Sequence, residues 1–549
     1  MPYDAQSRER YRTAGWWTGT SLPAALEEAA RLHADRRALV TPEVSWTFLE
    51  LFDRAHAFAR GLTAVGAVPG DAAMFQMGNV AETVTTYLGC LVAGVRPVCT
   101  LPHHGAREIG LLAEHTDARI LLVQEDFGAG RLRPQAIDLH AQGRFDIVVT
   151  ARGPGFPGAH GYDDLIAAGA VRTALPTSPD PDGIAVFQLS GGTTGLPKVA
   201  PRLHEEYTYN SRAWAAAMGY GPASTLLYPL PVMHNAGISL ALQPALLSGA
   251  CLVLAPTADV DALVSLIEQH RPDVLPLVPP ALAIRLLDSA AARTADLSSV
   301  RDFVVGGQVL PVEVAERLRD ELGIRVRQMF GMAEGMFLLT PAGASEDVRH
   351  HTVGTPISPG DEIRILDPGT ERRTPDGEIG ELATRGPYTI RGYYRADAHN
   401  TATFTSDGFY RTGDLARRHV LDEGTFYSIE GRIKDVINRG VEKIHAEEVE
   451  ELIVQHTAVR TAALVAMPDP VLGEKACAYL VLNDGAAPLT VADLGEHLLA
   501  LGLARFKLPE RVEIVEFLPL TNVGKVSKKH LREDIERKLA EETAQEEGR

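Results

Sequence analysis

Apolar positions recur at helical spacing over 22–33, 48–65 and 80–93, while 38–41 and 72–77 are short apolar runs of strand length. The segments 96–100, 109–115 and 120–123 continue this alternation. Alternation of this kind predicts a parallel sheet with helices on both faces. The stretch 124–182 is rich in Gly, Pro and Asp and predicts a long surface excursion, followed by a buried strand over 184–187. A second alternating block spans 207–341, with helices predicted at 260–269 and 281–290 and strands at 274–278 and 300–305. The texture then changes to short strands and turns at 362–366, 380–384, 410–415 and 424–429, which predict a small barrel or antiparallel sheet. A boundary falls near 431–435. Beyond it, helices at 446–455 and 491–501 and strands at 461–467, 476–482 and 511–516 make a compact α+β domain. The charged tail after Lys528 reads as a solvated helix end. The expected fold class is α/β: a large N-terminal domain over 1–433 with two doubly wound α/β subdomains and a small β-barrel, then a small domain over 434–549.

Composition narrows the function. The chain has 549 residues, 45% hydrophobic and 23% charged, as a soluble multidomain protein has. A formal net charge of −18 argues against nucleic acid as the main partner, because phosphate backbones need a basic face. Cys90, Cys99, Cys251 and Cys477 lie far apart, without zinc spacing or a disulfide framework, so a cytoplasmic location is expected. The first residues lack a signal-peptide core, and the apolar stretches 87–94 and 246–255 are too short or interrupted to span a bilayer. Residues 1–20 are polar, with Trp16 and Trp17 suggesting an arm packed on the body.

Chemistry concentrates where strands end. After the strand at 184–187 comes Gln188-Leu-Ser-Gly-Gly-Thr-Thr-Gly-Leu-Pro-Lys198. Gly191, Gly192 and Gly195 let the backbone curl with exposed N–H groups, Ser190, Thr193 and Thr194 add hydroxyls, and Lys198 adds a charge. Such a donor set suits a polyphosphate, although the spacing is not that of the common P-loop. Further islands are Gly306-Gly-Gln308, Gln328-Met-Phe-Gly-Met-Ala-Glu-Gly335, Tyr410-Arg-Thr-Gly-Asp-Leu415, Gly431-Arg432, Asn438-Arg-Gly-Val-Glu-Lys443 and Leu518-Pro-Leu-Thr-Asn-Val-Gly-Lys525. Read singly, each is a turn, and Lys525 a solvated lysine. Their joint order is the informative feature.

In that order they resemble the acyl-adenylate-forming superfamily of acyl-CoA synthetases, adenylation domains and luciferases, over nearly the whole chain. The stretches LSGGTTGLPKVAPRLHEEY, PVMHN, LVPPA, FGMAEG, TRGPYTIRGYY, GFYRTGDL, INRGVEKIHAEEVE and FKLPERVE are most similar to the stand-alone aryl-acid–AMP ligases. The resemblance implies ATP and Mg²⁺ as cofactors. It places the β- and γ-phosphates in the loop from Ser190 to Lys198, Mg²⁺ on Glu334 and both ribose hydroxyls on Asp414. Adenine would lie against Gly307 and Phe330, with Gln308, Gly331, Met332 and Ala333 in the same stretches, and Arg432 would reach ribose or phosphate. Lys525 would neutralise charge between the acid's carboxylate and the α-phosphate. The C-terminal domain would be mobile: rotation about Lys434 would withdraw Lys525 and bring in Gly440 and Lys443 for thioester formation on a phosphopantetheine thiol.

For the acid, the resemblance implies that Asn235 bonds a hydroxyl ortho to the carboxylate, that His234 gates the carboxylate region, and that Gly306 and Gly307 line the pocket. Here the chain departs from the pattern. Ala236 replaces an aromatic, Leu240 replaces the serine that serves a 3-OH, and Phe337 replaces a smaller aliphatic; Ser239 is adjacent and offers a substitute hydroxyl. An unpaired 3-OH costs about 1–3 kcal/mol, so salicylate or a substituted salicylate is expected ahead of 2,3-dihydroxybenzoate. The acceptor is an aryl carrier protein, with free CoA as the alternative. A third class, a non-catalytic nucleotide-binding regulator, is disfavoured by the co-occurrence of Lys525, Glu334 and Asp414. A monomer or homodimer is expected, with no nucleic-acid or membrane partner.

Overall fold

The computed structural model describes residues 3–172, 174–175, 178–190, 197–307, 310, 312–433, 436–519, 526 and 528–547. They divide into two units, Met1–Pro102 with Leu112–Ser190 and Lys198–Gly431, and His103–Leu111 with Arg432–Arg549.

In the first unit, one seven-stranded sheet runs in the order His160–Gly161, Ile147–Ala151, Ala118–Gln124, Ala72–Gln76, Arg96–Val98, Ile184–Ser190, Lys198–Leu203. It is parallel until its last strand, which pairs antiparallel with Ile184–Ser190. The stretch expected to be a surface excursion is mostly ordered structure. It contains the helices Leu132–Ala141 and Tyr162–Ala170 and the fully buried strand Ile147–Ala151. That five-residue apolar run is too short to stand out among its Gly, Pro and Asp neighbours.

A nine-stranded sheet follows the order Thr355–Pro356, Phe337–Leu339, Val326–Gly331, Asp302–Gly306, Val274–Val278, Thr225–Tyr228, Cys251–Leu254, Arg37–Val40, Ser45–Thr47. Its strands from Val326–Gly331 to Arg37–Val40 are parallel. Arg37–Val40, first in the chain's alternation, therefore belongs to this sheet and not to the first. Its partner is some 200 residues away, a pairing that local periodicity does not encode. The short strands Glu362–Leu366, Ile379–Arg385, Tyr410–Leu421 and Gly424–Arg432 form a separate sheet, antiparallel where its pairing is described.

The second unit is built on a sheet ordered Glu442–His445, Val436–Arg439, Gly473–Leu482, Val459–Asp469, with Arg511–Ile514 parallel to Gly473–Leu482. Ala446–Ile453 and Val491–Ala500 bury Val449, Leu452, Leu494 and Leu498 in one apolar cluster. The tail helix Lys528–Glu547, expected to be solvated, buries Leu531 and Ile535 against Val465 and Tyr479. Two apolar residues at i, i+4 suffice to dock a helix whose other faces are charged.

Close helix packing on the first sheet depends on two glycines. A Cβ on Gly169 would lie 1.8 Å from the Ala57 carbonyl oxygen, and one on Gly61 2.2 Å from that of Leu165. The helices Phe48–Ala64 and Tyr162–Ala170 thus approach backbone to backbone, and Arg60 Nε donates to the Gly169 carbonyl at 2.7 Å. Gly169→Ala is expected to destabilise the protein by about 1–3 kcal/mol, as overpacking does. A lower urea midpoint checks this, and an unchanged midpoint refutes it.

Candidate active site

The site is assembled at the carboxyl ends of parallel strands, where open α/β sheets place ligands. The chain leaves Thr225–Tyr228 into the loop bearing His234 and Asn235. Asn79, buried and distant in sequence, holds that loop: its Nδ2 donates to the carbonyls of Leu230 (2.8 Å) and Ala255 (2.9 Å), and its Oδ1 accepts from Val232 N–H (2.8 Å). The loop enters a π-helix, Gly237–Leu242, which carries Ser239 and Leu240. Single π-turns recur at functional sites because they re-aim side chains.

Asn235 is buried at the centre. Its Oδ1 accepts from the Tyr207 hydroxyl at 2.9 Å, and its Nδ2 donates to the Met332 carbonyl at 3.4 Å. Tyr207 in turn accepts from Gln188 Nε2 at 3.0 Å. Three motifs far apart in sequence therefore meet on one amide. The Ser239 hydroxyl is engaged by the Asn235 carbonyl at 2.6 Å, while Leu240 is buried and apolar. His234 is exposed, and its Nδ1 accepts from Ala236 N–H at 3.3 Å.

Phe330 and Gly331 end the strand Val326–Gly331; Phe337 lies opposite Gly331 on the returning strand, where a Cβ on Gly331 would sit 2.3 Å from the phenyl ring. Phe337 meets Trp214 edge-on at 5.7 Å, and its N–H donates to Tyr388 Oη at 3.0 Å. That hydroxyl donates to Asp361 Oδ2 at 2.7 Å, while Asp361 Oδ1 is shut off from solvent with no hydrogen-bond partner of good geometry among the described residues. Burial pushes the Asp361 carboxyl up to about 8, against the opposing hydrogen bond from Tyr388. Gly306 is buried at the end of Asp302–Gly306, with exposed Gly307 beside it at φ +90°.

Glu334 is buried, and its Oε1 accepts from the Tyr393 hydroxyl at 2.5 Å; Tyr393 also shares a hydrogen bond with Tyr410 at 2.9 Å. Lys198 Nζ lies 5.1 Å from the centre of the Tyr393 ring and 2.6 Å from His399 Nε2. Ser190 and Lys198 are paired across the two strands that flank the Gly-rich loop. Asp414 is buried on the strand that starts at Tyr410, its N–H donating to Thr412 Oγ1 at 3.0 Å.

Arg202 ties these pieces together. It is fully buried and forms a two-pronged pair with Glu206, both bonds 2.8 Å. It also donates to the carbonyls of Ala333 (2.9 Å) and Tyr388 (3.1 Å) and lies 4.3 Å from the centre of the Tyr207 ring. Burial alone would weaken its charge, but Glu206 outweighs that effect and holds the guanidinium above its ordinary value.

Met332 and Ala333 thus join the site through their carbonyls. Gly191, Gly192, Thr193, Thr194, Gly195, Gln308, Lys434 and Lys525 lie outside the described residues, and Arg432 is described by its backbone alone. In the second unit Gly440, at φ +62°, turns the hairpin between Val436–Arg439 and Glu442–His445, where Lys443 is exposed. Arg202, Tyr207, Tyr393 and His399 were not singled out from sequence. The signal for the first two was the string RLHEEY, in which Arg202 and Glu206 stand four apart and Tyr207 comes next. Among the described residues no cluster of three or more His, Cys, Asp or Glu suits a metal, and no helix is long and apolar enough to cross a membrane.

The AMP-binding enzyme family profile matches residues 26–394, and that of the AMP-binding enzyme C-terminal domain matches 448–525. The chain belongs to the AMP-binding enzyme family, and so to the acyl-adenylate-forming superfamily of ligases. It is 38% identical to the 2,3-dihydroxybenzoate-AMP ligase of Bacillus subtilis, over 98% of both chains. It is 39% identical to a salicylyl-CoA synthase / salicylate adenylyltransferase of Streptomyces sp, over 97% of both. Among solved structures it is similar to apo MbtA of Mycobacterium smegmatis, with a TM-score of 0.74 and 34% identity, covering 97% of this chain and 98% of that one.

The raised Asp361 carboxyl has a stability consequence. The folded state keeps a proton that the unfolded chain releases above the ordinary value of 3.8, so this group's contribution is full below that value and is lost as pH rises toward about 8. Asp361→Asn removes the titration. Its melting temperature, measured against the unsubstituted protein, is expected to gain steadily from pH 4 to pH 8 and level off above; a gap independent of pH refutes this.

Proposed function

We propose that this ligase adenylates an aromatic 2-hydroxy carboxylic acid, salicylate or a substituted salicylate, with ATP. The acyl group then passes to the phosphopantetheine thiol of an aryl carrier protein in siderophore or nonribosomal peptide biosynthesis, in the cytoplasm. The observation that carries this reading is Asn235, a buried amide held by Tyr207 and Met332, with Leu240 and Phe337 both buried and apolar. One polar contact in an apolar surround suits an aryl acid with a single ortho hydroxyl. Ser239, already bonded to the Asn235 carbonyl, is a poor substitute for the hydroxyl that a 3-OH would need. The Streptomyces relative's name supports salicylate and raises CoA as an acceptor, and the Bacillus relative's name keeps 2,3-dihydroxybenzoate as the second reading.

In this reading the acid's carboxylate oxygen attacks the α-phosphorus of ATP and pyrophosphate leaves. The reaction needs positioning and charge stabilisation more than covalent catalysis. Ser190, Lys198 and the intervening loop hold the outer phosphates, Asp414 the ribose, Phe330 and Gly307 the adenine, and His234 gates the carboxylate. Magnesium in nucleotide sites usually takes one or two carboxylates with phosphates and water. Glu334 fits that role, a buried carboxylate with one oxygen already oriented by Tyr393. When bound, the ion offsets phosphate charge. Lys525 neutralises charge on the carboxylate and α-phosphate. The domains are 1–433 and 434–549, and rotation at Lys434 exchanges Lys525 for the Gly440–Lys443 segment before thioester formation.

Two half-reactions give two tests. Lys525→Ala is expected to lower acid-dependent pyrophosphate exchange at least about a hundredfold, the scale of losing a principal transition-state donor, while thioester formation from supplied acyl-AMP largely persists. Equal loss of both steps counts against alternation. In a panel of benzoates, exchange is expected to favour salicylate over 2,3-dihydroxybenzoate. Leu240→Ser should raise kcat/KM for the dihydroxy acid relative to salicylate by up to about tenfold, one modest hydrogen bond. A wild type that already prefers the dihydroxy acid, with no gain in the variant, rejects the salicylate reading.

A further inference from the structure

The hydrogen bonds around Asn235 fix which way its amide faces. Gln188 is buried, and its Nε2 sits 3.0 Å from Tyr207 Oη and 3.3 Å from Cys99 Sγ. A phenol that receives an N–H has one hydrogen left to give, and the other atom within reach is Asn235 Oδ1 at 2.9 Å. On its far side Asn235 faces the Met332 carbonyl, which only accepts. Turning the Asn235 amide over would set two oxygens against each other at 3.4 Å and leave its nitrogen facing the phenol. The two sides therefore agree: oxygen toward Tyr207, nitrogen toward Met332. Burial raises the Tyr207 hydroxyl well above its ordinary value of 10, against the pull of Arg202, so it stays a donor throughout the working pH range.

We propose that Tyr207, backed by Gln188, acts as a positioning residue that locks Asn235 as a hydrogen-bond donor, so that the acid site selects an ortho acceptor and rejects an ortho donor. This rests on the proposed function, in which Asn235 faces the ortho substituent. The ligand chemistry completes the argument. In a 2-hydroxybenzoate the phenol hydrogen closes onto the neighbouring carboxylate, which leaves an oxygen lone pair turned outward to accept an N–H. In a 2-aminobenzoate one amine hydrogen makes the same internal contact. The second N–H then points outward, and the nitrogen lone pair is delocalised into the ring. A donor from Asn235 fits the first acid and opposes the second. The rejection is strong in principle, because both N–H groups would be desolvated and unpaired.

The test is acid-dependent pyrophosphate exchange by the full chain with salicylate, 2-aminobenzoate and benzoate. In the unsubstituted enzyme, kcat/KM for salicylate is expected to exceed that for 2-aminobenzoate by at least about tenfold. Tyr207→Phe releases Asn235 Oδ1, letting the amide turn, and should reduce that ratio by at least about fivefold while the benzoate rate changes much less. Asn235→Asp, kept protonated by burial, retains an oxygen for Tyr207, donates its one hydrogen to the Met332 carbonyl and turns that hydroxyl's lone pairs to the ligand, so the ratio should invert in favour of 2-aminobenzoate. This variant carries the test alone if Tyr207→Phe does not fold. The relay is overturned if the ratio stays unchanged in every folded variant of these two while Asn235→Ala still abolishes the preference for salicylate over benzoate. If the enzyme never distinguishes salicylate from benzoate, and Asn235→Ala changes nothing, the placement of the ortho group falls and the inference falls with it.

Discussion

A single buried ion pair, Arg202 with Glu206, governs how the first unit's functional loops are arranged. A guanidinium with no access to water must have its donors met by acceptors, and removing one partner of such a pair costs about 3–5 kcal/mol. Glu206 supplies two of those acceptors from the next turn of the chain. The remainder come from the carbonyls of Ala333 and Tyr388 and from Asn210. The loop bearing Glu334 and the loop preceding Tyr393 are thereby tied to the helix that carries Tyr207. The guanidinium also covers the Tyr207 ring, so one charge orients both the acidic side of the site and the phenol that holds Asn235.

Around that anchor, several parts of the site are fixed by partners remote in sequence. Asn235 depends on Tyr207 and Met332, Glu334 on Tyr393, and the loop before His234 on Asn79. The strands bring their carboxyl ends together, and these bonds fix the orientation of Asn235 and Glu334. Preorganisation of this kind favours chemistry that works by placement and charge.

Much of this was legible in the sequence. Glycine-rich and acidic islands after apolar runs marked the strand ends, and Glu334 and Asp414 stand in such islands, while Asn235 stands in the stretch PVMHN. Short apolar runs and helical patterns predicted most elements of both units. The hidden part was long-range. The strand Arg37–Val40 gives no local sign that it pairs with Cys251–Leu254, and Ile147–Ala151 is masked by its turn-rich surroundings. Tyr207 and Tyr393 look like ordinary aromatic core residues until their hydroxyls are seen to end on Asn235 and Glu334. The burial of Arg202 is only half legible: Glu206 stands four residues on, but the carbonyls of Ala333 and Tyr388 are acceptors that any residue provides.

The π-helix Gly237–Leu242 gives the acid pocket a distinctive kind of plasticity. A π-turn holds one more residue than the α-turn it replaces. Loss of a single residue there would relax the segment to α geometry and re-aim the side chains within the turn, while the helix Gln243–Ser248 beyond it keeps its place. Leu240 would be re-aimed and another side chain brought into its place with no point substitution. Pocket chemistry in this chain can therefore change by indel as well as by replacement, and the change would be cushioned by the helix itself instead of spreading into the sheet.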